Sequence, residues 1–257
     1  MRGLGNLLGS EFRKVRENPA RLRQWFRVRR VAQLLAATRF FWRHDGRWQT
    51  GGSPGLQRRE YRTYAEYVTH QQSKLNFADL AAYDRTYRAQ LHARLAAWQP
   101  PAAGAPVLCL AARLGTEVRA FQDLGCFAVG VDLNPGPQNR FVLFGDFHEL
   151  AFPAASAAVV FTNSLDHAFA LDKLLGEVRR VLQPEGCLIV EAVQGDAEGV
   201  TPDFYASLWW SRVDDLVRRI EAEGFQLAHR HAFTEPWPGE HLRFAKSSRT
   251  AEPAGHR

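Results

Sequence analysis

Carboxylate, amide and imidazole side chains follow the apolar runs in the second half of the chain. Asp132 ends one such run, and a carboxylate at the end of a strand, about twenty residues beyond a turn of small residues, is placed to accept both hydroxyls of a ribose. Asp146 and Phe147 follow the next run, and they could accept a hydrogen bond from an adenine amino group and pack against its ring. In the alternative interpretation, Asp132 and Asp146 cap turns or helices and Phe147 is a core residue.

The densest polar cluster follows the next apolar run, in the sequence Thr162-Asn163-Ser164-Leu165-Asp166-His167. His167 could act as a general base oriented by the carboxylate of Asp166. A helix-capping role for Ser164 or Asp166 is an equally good interpretation.

The elements that must position these side chains alternate between strand and helix. The sequence predicts strands at Val107–Leu110, Phe127–Asp132, Phe141–Phe144, Ala158–Thr162 and Cys187–Ala192, with helices at Glu117–Leu124 and Leu171–Leu182. Apolar strands separated by helices predict a parallel sheet that is covered on both faces. After a helix at Arg212–Glu223, strands at Phe225–Phe233 and His241–Lys246 are joined by a loop too short for a crossover, which predicts an antiparallel hairpin.

In this order the segments resemble the class I, seven-stranded methyltransferases that use S-adenosylmethionine, of the methyltransferase type 11 kind, over about residues 105–247. The similar motifs are Val107–Gly115, Gly130–Asp132, Gly145–Phe147 and Arg180–Gly186, the last resembling the turn R-V-L-K-P-G-G of that family. The resemblance implies a doubly wound α/β fold whose mostly parallel seven-stranded sheet ends in the C-terminal antiparallel hairpin.

The resemblance also implies where S-adenosylmethionine binds. Gly115 and the backbone at Ala111 and Arg113 would approach its methionine portion, Asp132 with Leu133 its ribose, Asp146 and Phe147 its adenine, and Asn163 its transferable methyl group. The first motif departs from the family pattern, with Cys109 in place of an acidic residue and Ala111 and Arg113 in place of glycines. Two alternatives follow: Glu117 compensates, or affinity for the cofactor is reduced.

Charge is distributed unevenly along the chain. Residues 1–62 contain 15 Lys and Arg against 4 Asp and Glu, whereas the remainder contains 18 against 23. Residues 11–43 read as a basic helix with apolar Trp25 and Phe26, which could contact an anionic membrane surface or present a solvated basic face. Nucleic acid is disfavoured as a partner, because the mildly acidic remainder does not extend the basic surface.

Four segments are predicted. They are a basic helical N-terminal extension (1–60, with a loop from Asp45 to Arg59), a helical lid or linker region (61–104), the methyltransferase-like domain (105–247) and a disordered tail (248–257). In the second segment, Tyr61, Tyr64, Tyr67, Gln71 and Lys74 are spaced to line one helix face, which either turns toward the substrate pocket or packs on the edge of the sheet.

Cysteine content and hydropathy predict a cytoplasmic protein, peripheral to a membrane if the basic helix binds lipid. Cys109, Cys126 and Cys187 lack the spacing of metal ligands and are expected to be buried thiols, and no apolar run is long enough to cross a membrane.

The leading hypothesis is a methyltransferase that acts on a small molecule or on a glycan or lipid precursor, with the oligomeric state undetermined. A catalytically silent relative that binds a partner is a second hypothesis, favoured by the altered first motif. A nicotinamide-dependent oxidoreductase is a third, but the sequence lacks the Gly-x-Gly-x-x-Gly turn.

Overall fold

A computed structural model describes residues 47–72, 80–98, 100–136 and 138–247. The strands are β1 (Trp48–Thr50), β2 (Leu56–Arg59), β3 (Pro106–Leu110), β4 (Phe127–Asp132), β5 (Val142–Phe144), β6 (Ala157–Thr162), β7 (Leu182–Val193), β8 (Leu208–Trp210), β9 (Phe225–Phe233) and β10 (Gly239–Lys246). The helices are α1 (Tyr64–Gln72), α2 (Leu80–Ala97), α3 (Thr116–Asp123), α4 (Leu171–Val181) and α5 (Val213–Ala222), with short 3-10 turns at Leu165–His167 and Asp196–Glu198.

Seven strands form the central sheet in the order β5-β4-β3-β6-β7-β10-β9. Strands β3 to β7 are parallel to one another, whereas β10 is antiparallel to both β7 and β9. The predicted mostly parallel sheet with a C-terminal hairpin is therefore confirmed. Strand order reverses between β3 and β6, which is where a parallel sheet of this kind opens a crevice at the carboxyl ends of its strands.

Apolar side chains cover both faces of the sheet. On one face, Leu174, Val178 and Ile220 from α4 and α5 pack in a cluster with the buried residues of β6 and β7. On the other, Tyr87 and Leu91 from α2 pack with residues of α3 and β3. Burial on both faces explains why these strands are continuously apolar rather than alternating.

The prediction of a loop from Asp45 to Arg59 is wrong for residues 47–59, the part of it that the structure describes. Residues 47–59 form the β1–β2 hairpin, and β2 pairs antiparallel with β8 to complete a separate three-stranded sheet. Arg59, only 6% exposed, donates hydrogen bonds to the carbonyls of Ala206 and Phe204. Strands of three or four residues show no measurable periodicity, and the partner strand lies about 150 residues away, so local sequence reasoning did not detect them.

The helical pattern predicted for Tyr61–Trp98 corresponds to α1 and α2. The predicted helix at 11–43, Lys74 and the predicted tail at 248–257 lie outside the described residues. All three cysteines are free and buried, as expected. Over the described ranges, no helix has the length and apolar character needed to cross a membrane, and no group of His, Cys, Asp and Glu has the arrangement of a metal site.

Candidate active site

A cavity of about 330 Å³ opens at the carboxyl ends of β3, β6 and β7. Its wall includes the β3–α3 turn, the polar residues after β6, the end of β7 and the segment that leads into β8. A second, small cavity of about 20 Å³ lies beside Asp132 at the end of β4. Ala111, Arg113 and His167 line both cavities and so join them into one crevice.

The β3–α3 turn has the unusual backbone expected of a ligand-binding loop. Ala111 and Arg113 have positive φ angles of 55° and 35°, and Gly115, at the start of α3, has φ of 76°. A Cβ atom at Gly115 would lie 2.7 Å from the Cβ of Phe141, so only glycine fits there. Gly115 therefore shapes the turn, but it does not line either cavity.

Asp132 lies where the ribose-binding residue was predicted, at the end of β4. Its Oδ1 accepts a hydrogen bond from the backbone N–H of Asn134 (2.7 Å), and its Oδ2 accepts one from the backbone N–H of Arg113 (3.0 Å). The Nε of Arg113 lies 3.9 Å from the same carboxylate. Asp132 and Leu133 line the small cavity, so the carboxylate is at the crevice, with the Arg113 side chain beside it.

Asp146 is already bonded within the protein. Its Oδ1 accepts hydrogen bonds from the backbone N–H and Nδ1 of His148, both at 2.8 Å, and its Oδ2 accepts one from the hydroxyl of Tyr64. Burial alone would raise the pKa of Asp146, but these hydrogen bonds outweigh burial and lower it to about 2. Phe147 lines the small cavity, whereas Asp146 lines neither cavity.

Helix α1 covers this end of the crevice. Tyr67 and Gln71 line the small cavity, and Gln72 donates a hydrogen bond to the carbonyl of Leu133 (3.1 Å). Tyr67 and Gln71 of α1 therefore face the small cavity, whereas Tyr64 lines neither cavity and contacts Asp146. The small cavity has room for little more than a water molecule.

Asn163 and Glu117 meet at the wall of the large cavity. The Nδ2 of Asn163 donates a hydrogen bond to Glu117 Oε1 at 3.1 Å. Glu117, in the first turn of α3, is only 5% exposed, and its burial raises its pKa to about 7, against hydrogen bonds from its own backbone and from Asn163. Asn163 thus lines the large cavity and contacts a carboxylate that can change protonation near neutral pH, while its place beside the transferable methyl group stays a prediction.

His167 and Asp166 lie together in the 3-10 turn after β6. The Nδ1 of His167 is 3.0 Å from the carbonyl of Tyr205, which can only accept, so this nitrogen carries a proton. Its Nε2 is 3.7 Å from Asp166 Oδ2, and both residues line the large cavity. In the neutral tautomer, the basic lone pair of His167 is therefore on Nε2.

An aromatic wall of the large cavity was missed by sequence reasoning. It consists of Trp209 and Trp210 of β8 and Trp237 of the β9–β10 turn. The two adjacent indoles are stacked, with ring centroids 5.4 Å apart and planes 9° apart. The consecutive apolar residues from Leu208 to Trp210 were the available signal, but their place at the cavity depends on tertiary contacts such as the pairing of β8 with β2 and the hydrogen bond from Trp210 Nε1 to the carbonyl of Val193.

A buried ion-pair network supports the floor of the large cavity. Glu191, at 2% exposure, accepts two hydrogen bonds of 2.7 Å from Arg94 of α2 and one of 2.8 Å from the hydroxyl of Tyr87. The Nδ1 of His241, on β10, lies 3.0 Å from Oε1 of Glu191, which also accepts one of the Arg94 hydrogen bonds. Burial opposes ionisation of Glu191, but the hydrogen bonds from His241 and Arg94 prevail and lower its pKa. This network holds α2 and β10 against the end of β7.

Comparison with known proteins agrees with this geometry. Residues 108–190 match the family model described as a methyltransferase domain. A search of curated proteins gives no significant match.

Several solved structures share the fold at low sequence identity. The 1,6-didemethyltoxoflavin-N1-methyltransferase of Burkholderia thailandensis, solved with 1,6-didemethyltoxoflavin and S-adenosylhomocysteine bound, has a TM-score of 0.58 at 18% identity and covers 77% of this chain and 98% of its own. The protein that forms a complex with the Trm112 methyltransferase activator of Haloferax volcanii has a TM-score of 0.54 at 17% identity, with 72% and 98% coverage. A methyltransferase dependent on S-adenosylmethionine from Aquifex aeolicus has a TM-score of 0.52 at 10% identity, with 72% and 100% coverage. Residues 108–190 of this chain therefore match a methyltransferase domain, and the chain shares the Rossmann-like fold of these structures.

Proposed function

We propose that the protein is a methyltransferase that uses S-adenosylmethionine to methylate a small-molecule acceptor. The observation that carries this proposal is the crevice at the ends of β3, β4 and β6, because it joins a turn with positive φ angles, a strand-end carboxylate and a buried polar cluster. The methyltransferase-domain match over residues 108–190 supports the same cofactor, as does the S-adenosylhomocysteine bound to the Burkholderia thailandensis neighbour. The catalytically silent alternative gains no support from the structure or the comparisons.

The residues fit the cofactor at one end of the crevice and constrain it at the other. The large cavity meets the β3–α3 turn, Asn163 and Glu117, which suits the methionine portion. Asp132 suits the ribose. The space beside Asp132 is only about 20 Å³, so α1 and the Arg113 side chain must shift to admit a nucleoside. Tyr64 must also release Asp146 if that carboxylate is to accept the adenine amino group.

The acceptor is proposed to occupy the part of the large cavity lined by Trp209, Trp210 and Trp237. Indole walls favour flat or apolar ligands, and a cavity of about 330 Å³ matches a small molecule better than a macromolecule. A glycan or lipid precursor would have to extend out of this cavity.

When bound, S-adenosylmethionine supplies an electrophilic methyl group on a positively charged sulfur. The protein then has to hold the acceptor atom in line with that group, at about 3–3.5 Å, and to exclude water. His167 is the proposed general base for a protonated acceptor, because its Nδ1 bond to Tyr205 leaves the basic lone pair on Nε2, beside Asp166 at the cavity wall.

Isothermal titration with S-adenosylmethionine tests the proposal directly. We expect saturable binding of S-adenosylmethionine and no binding of NADH, since the chain lacks the glycine-rich turn of nicotinamide enzymes. The absence of heat with S-adenosylmethionine at millimolar concentration would refute the enzyme proposal.

Arg113→Gly is expected to tighten the binding of S-adenosylmethionine by about tenfold. Glycine removes the cation beside the site proposed for a sulfonium, and its freedom at φ lets the β3–α3 turn adjust as the cofactor enters. Titration of the variant with S-adenosylmethionine and with neutral S-adenosylhomocysteine separates the two causes, because charge repulsion acts only on the former.

Arg113→Ala is the matched control. Alanine removes the cation but keeps a side chain at positive φ. Its affinity for S-adenosylmethionine should therefore rise through the loss of charge repulsion. Its affinity for S-adenosylhomocysteine should stay unchanged, because only glycine frees the backbone. Weaker binding in the glycine variant would show instead that Arg113 contributes to the cofactor site.

We also propose that the basic segment before residue 47 associates with anionic membrane surfaces while the enzyme remains cytoplasmic. Its charge is the support, since the Lys and Arg excess of the chain is concentrated in residues 1–62. The segment boundaries at 60, 104 and 247 likewise remain proposals. Flotation with liposomes that contain or lack anionic lipid would test the association, and equal recovery from both would argue against it.

A further inference from the structure

Two buried carboxylates line the large cavity, and their surroundings differ. Glu191 is paired with Arg94 and His241. Glu117, 5% exposed, accepts a hydrogen bond from the neutral amide of Asn163. Within the described part of the chain, no side-chain nitrogen of Lys, Arg or His lies within 4.0 Å of a carboxylate oxygen of Glu117, so Glu117 forms no ion pair there.

A buried carboxylate without a cation is unfavourable, because burial removes hydration that a neutral amide replaces only in part. The start of α3 offsets some of this cost, since helix N-termini favour negative charge. A ligand cation in the cavity would restore the missing partner. The geometry therefore points to a cation-binding group at the cavity wall.

The charged groups around Glu117 do not supply that partner. Arg113, in the β3–α3 turn, favours its ionisation from a distance, while Asp132 at the end of β4 opposes it. The thiol of Cys109 on β3 is fully buried behind it. Asp166 and His167 also line the cavity, with Oδ2 of Asp166 and Nε2 of His167 3.7 Å apart.

We infer that Glu117 binds the primary ammonium group of the methionine moiety of the cofactor, an assignment that rests on the proposed function. The β3–α3 turn bends the chain so that the first turn of α3 faces the cavity beside Asn163. The resembled family has an acidic residue on β3 at the position of Cys109, and a buried thiol cannot bind an ammonium group as a carboxylate does. The carboxylate of Glu117 can take that role from the first turn of α3. A primary ammonium is the fitting partner because it is compact and donates up to three hydrogen bonds.

The test compares two nucleosides that differ in the amino-acid moiety. S-adenosylhomocysteine carries the ammonium group, and 5′-deoxy-5′-methylthioadenosine lacks it. At pH 8, Glu117→Gln is expected to weaken the binding of S-adenosylhomocysteine by about 10- to 100-fold. The affinity for methylthioadenosine should change by no more than about twofold. Glu117→Asp should recover part of the loss, and Glu185→Gln, which neutralises an exposed carboxylate on β7, should change neither affinity.

A pH series adds a readout that a merely structural role would not produce. Because the pKa of Glu117 is raised to about 7, the carboxylate is mostly neutral at pH 6 and ionised at pH 8. The affinity of the unaltered protein for S-adenosylhomocysteine should therefore rise roughly tenfold between these pH values. The rise should vanish in Glu117→Gln, whereas a rise with another origin would persist there.

The outcomes separate this assignment from the proposed function. If the unaltered protein binds S-adenosylhomocysteine and Glu117→Gln binds it equally well, the assignment is overturned and the proposed function stands. Equal losses for both nucleosides would also overturn it, because they would show a structural role for Glu117. If the unaltered protein binds neither nucleoside, the proposed function fails and the assignment fails with it.

Discussion

Asp132→Ala is expected to weaken the binding of S-adenosylmethionine by at least about 100-fold. In the proposed site, the carboxylate accepts hydrogen bonds from two ribose hydroxyls, and each hydrogen bond to a charged group contributes about 1.5–3 kcal/mol. Two such bonds correspond to roughly 100-fold or more in affinity. Isothermal titration of the unaltered and variant proteins with S-adenosylmethionine measures the change.

The experiment must separate a lost ligand contact from a disturbed loop, because Asp132 also accepts hydrogen bonds from the backbone N–H groups of Arg113 and Asn134. Asp132→Asn keeps the shape and one acceptor oxygen, but its NH2 group must face one of these two backbone donors, so we expect it to lose about tenfold in affinity and part of the thermal stability that Asp132→Ala loses. Asp123→Ala, at an exposed ion pair with Arg88, serves as a charge control. An unchanged affinity in Asp132→Ala would place the ribose elsewhere.

Arg94→Ala is expected to lower the free energy of unfolding by about 3–5 kcal/mol. The substitution leaves the carboxylate of Glu191 buried without its bidentate partner, and uncompensated buried charge is strongly destabilising. It also removes a hydrogen bond to the carbonyl of Glu235 and the contact of the guanidinium with the Phe233 ring, 4.2 Å from its centroid. Denaturation in urea, followed by circular dichroism, measures the loss.

Arg88→Ala is the matched control for this prediction. Arg88 lies on the same helix and makes a similar bidentate pair with Asp123, but both side chains are more than a third exposed. Exposed pairs contribute about 0–1 kcal/mol, so this variant should stay within that range. Equal losses in the two variants would mean that burial does not strengthen the Arg94–Glu191 pair.

Most of the central sheet was predictable from local sequence. The strands β3, β4 and β6 and the second half of β7 are short apolar runs bounded by polar or small residues, and burial on both faces requires that composition. The C-terminal hairpin was predictable from the length of the loop between β9 and β10, which is too short for a crossover connection. The β1–β2–β8 sheet was not predictable, since its strands have three or four residues and join distant parts of the chain.

The candidate site was predictable to a lesser extent. Asp132 and Asn163 were expected at strand ends, and the structure places them at the crevice because parallel strands end at a common edge. The engagement of Asp146 by Tyr64 and His148 could not be predicted. It depends on how α1 packs over the sheet, which no local pattern encodes.

The sequence by itself therefore determined the sheet, its parallel and antiparallel parts and the strand ends at which polar residues gather. These features depend on composition and spacing over a few residues. Tertiary structure decided which carboxylates are satisfied within the protein and which are left for a ligand. Glu191 meets Arg94 and His241, whereas in the described part of the chain Glu117 accepts hydrogen bonds from neutral groups, the amide of Asn163 and its own backbone. The electrostatic state of a buried carboxylate is set by groups within a few ångströms in space, and in this fold those groups come from distant parts of the chain.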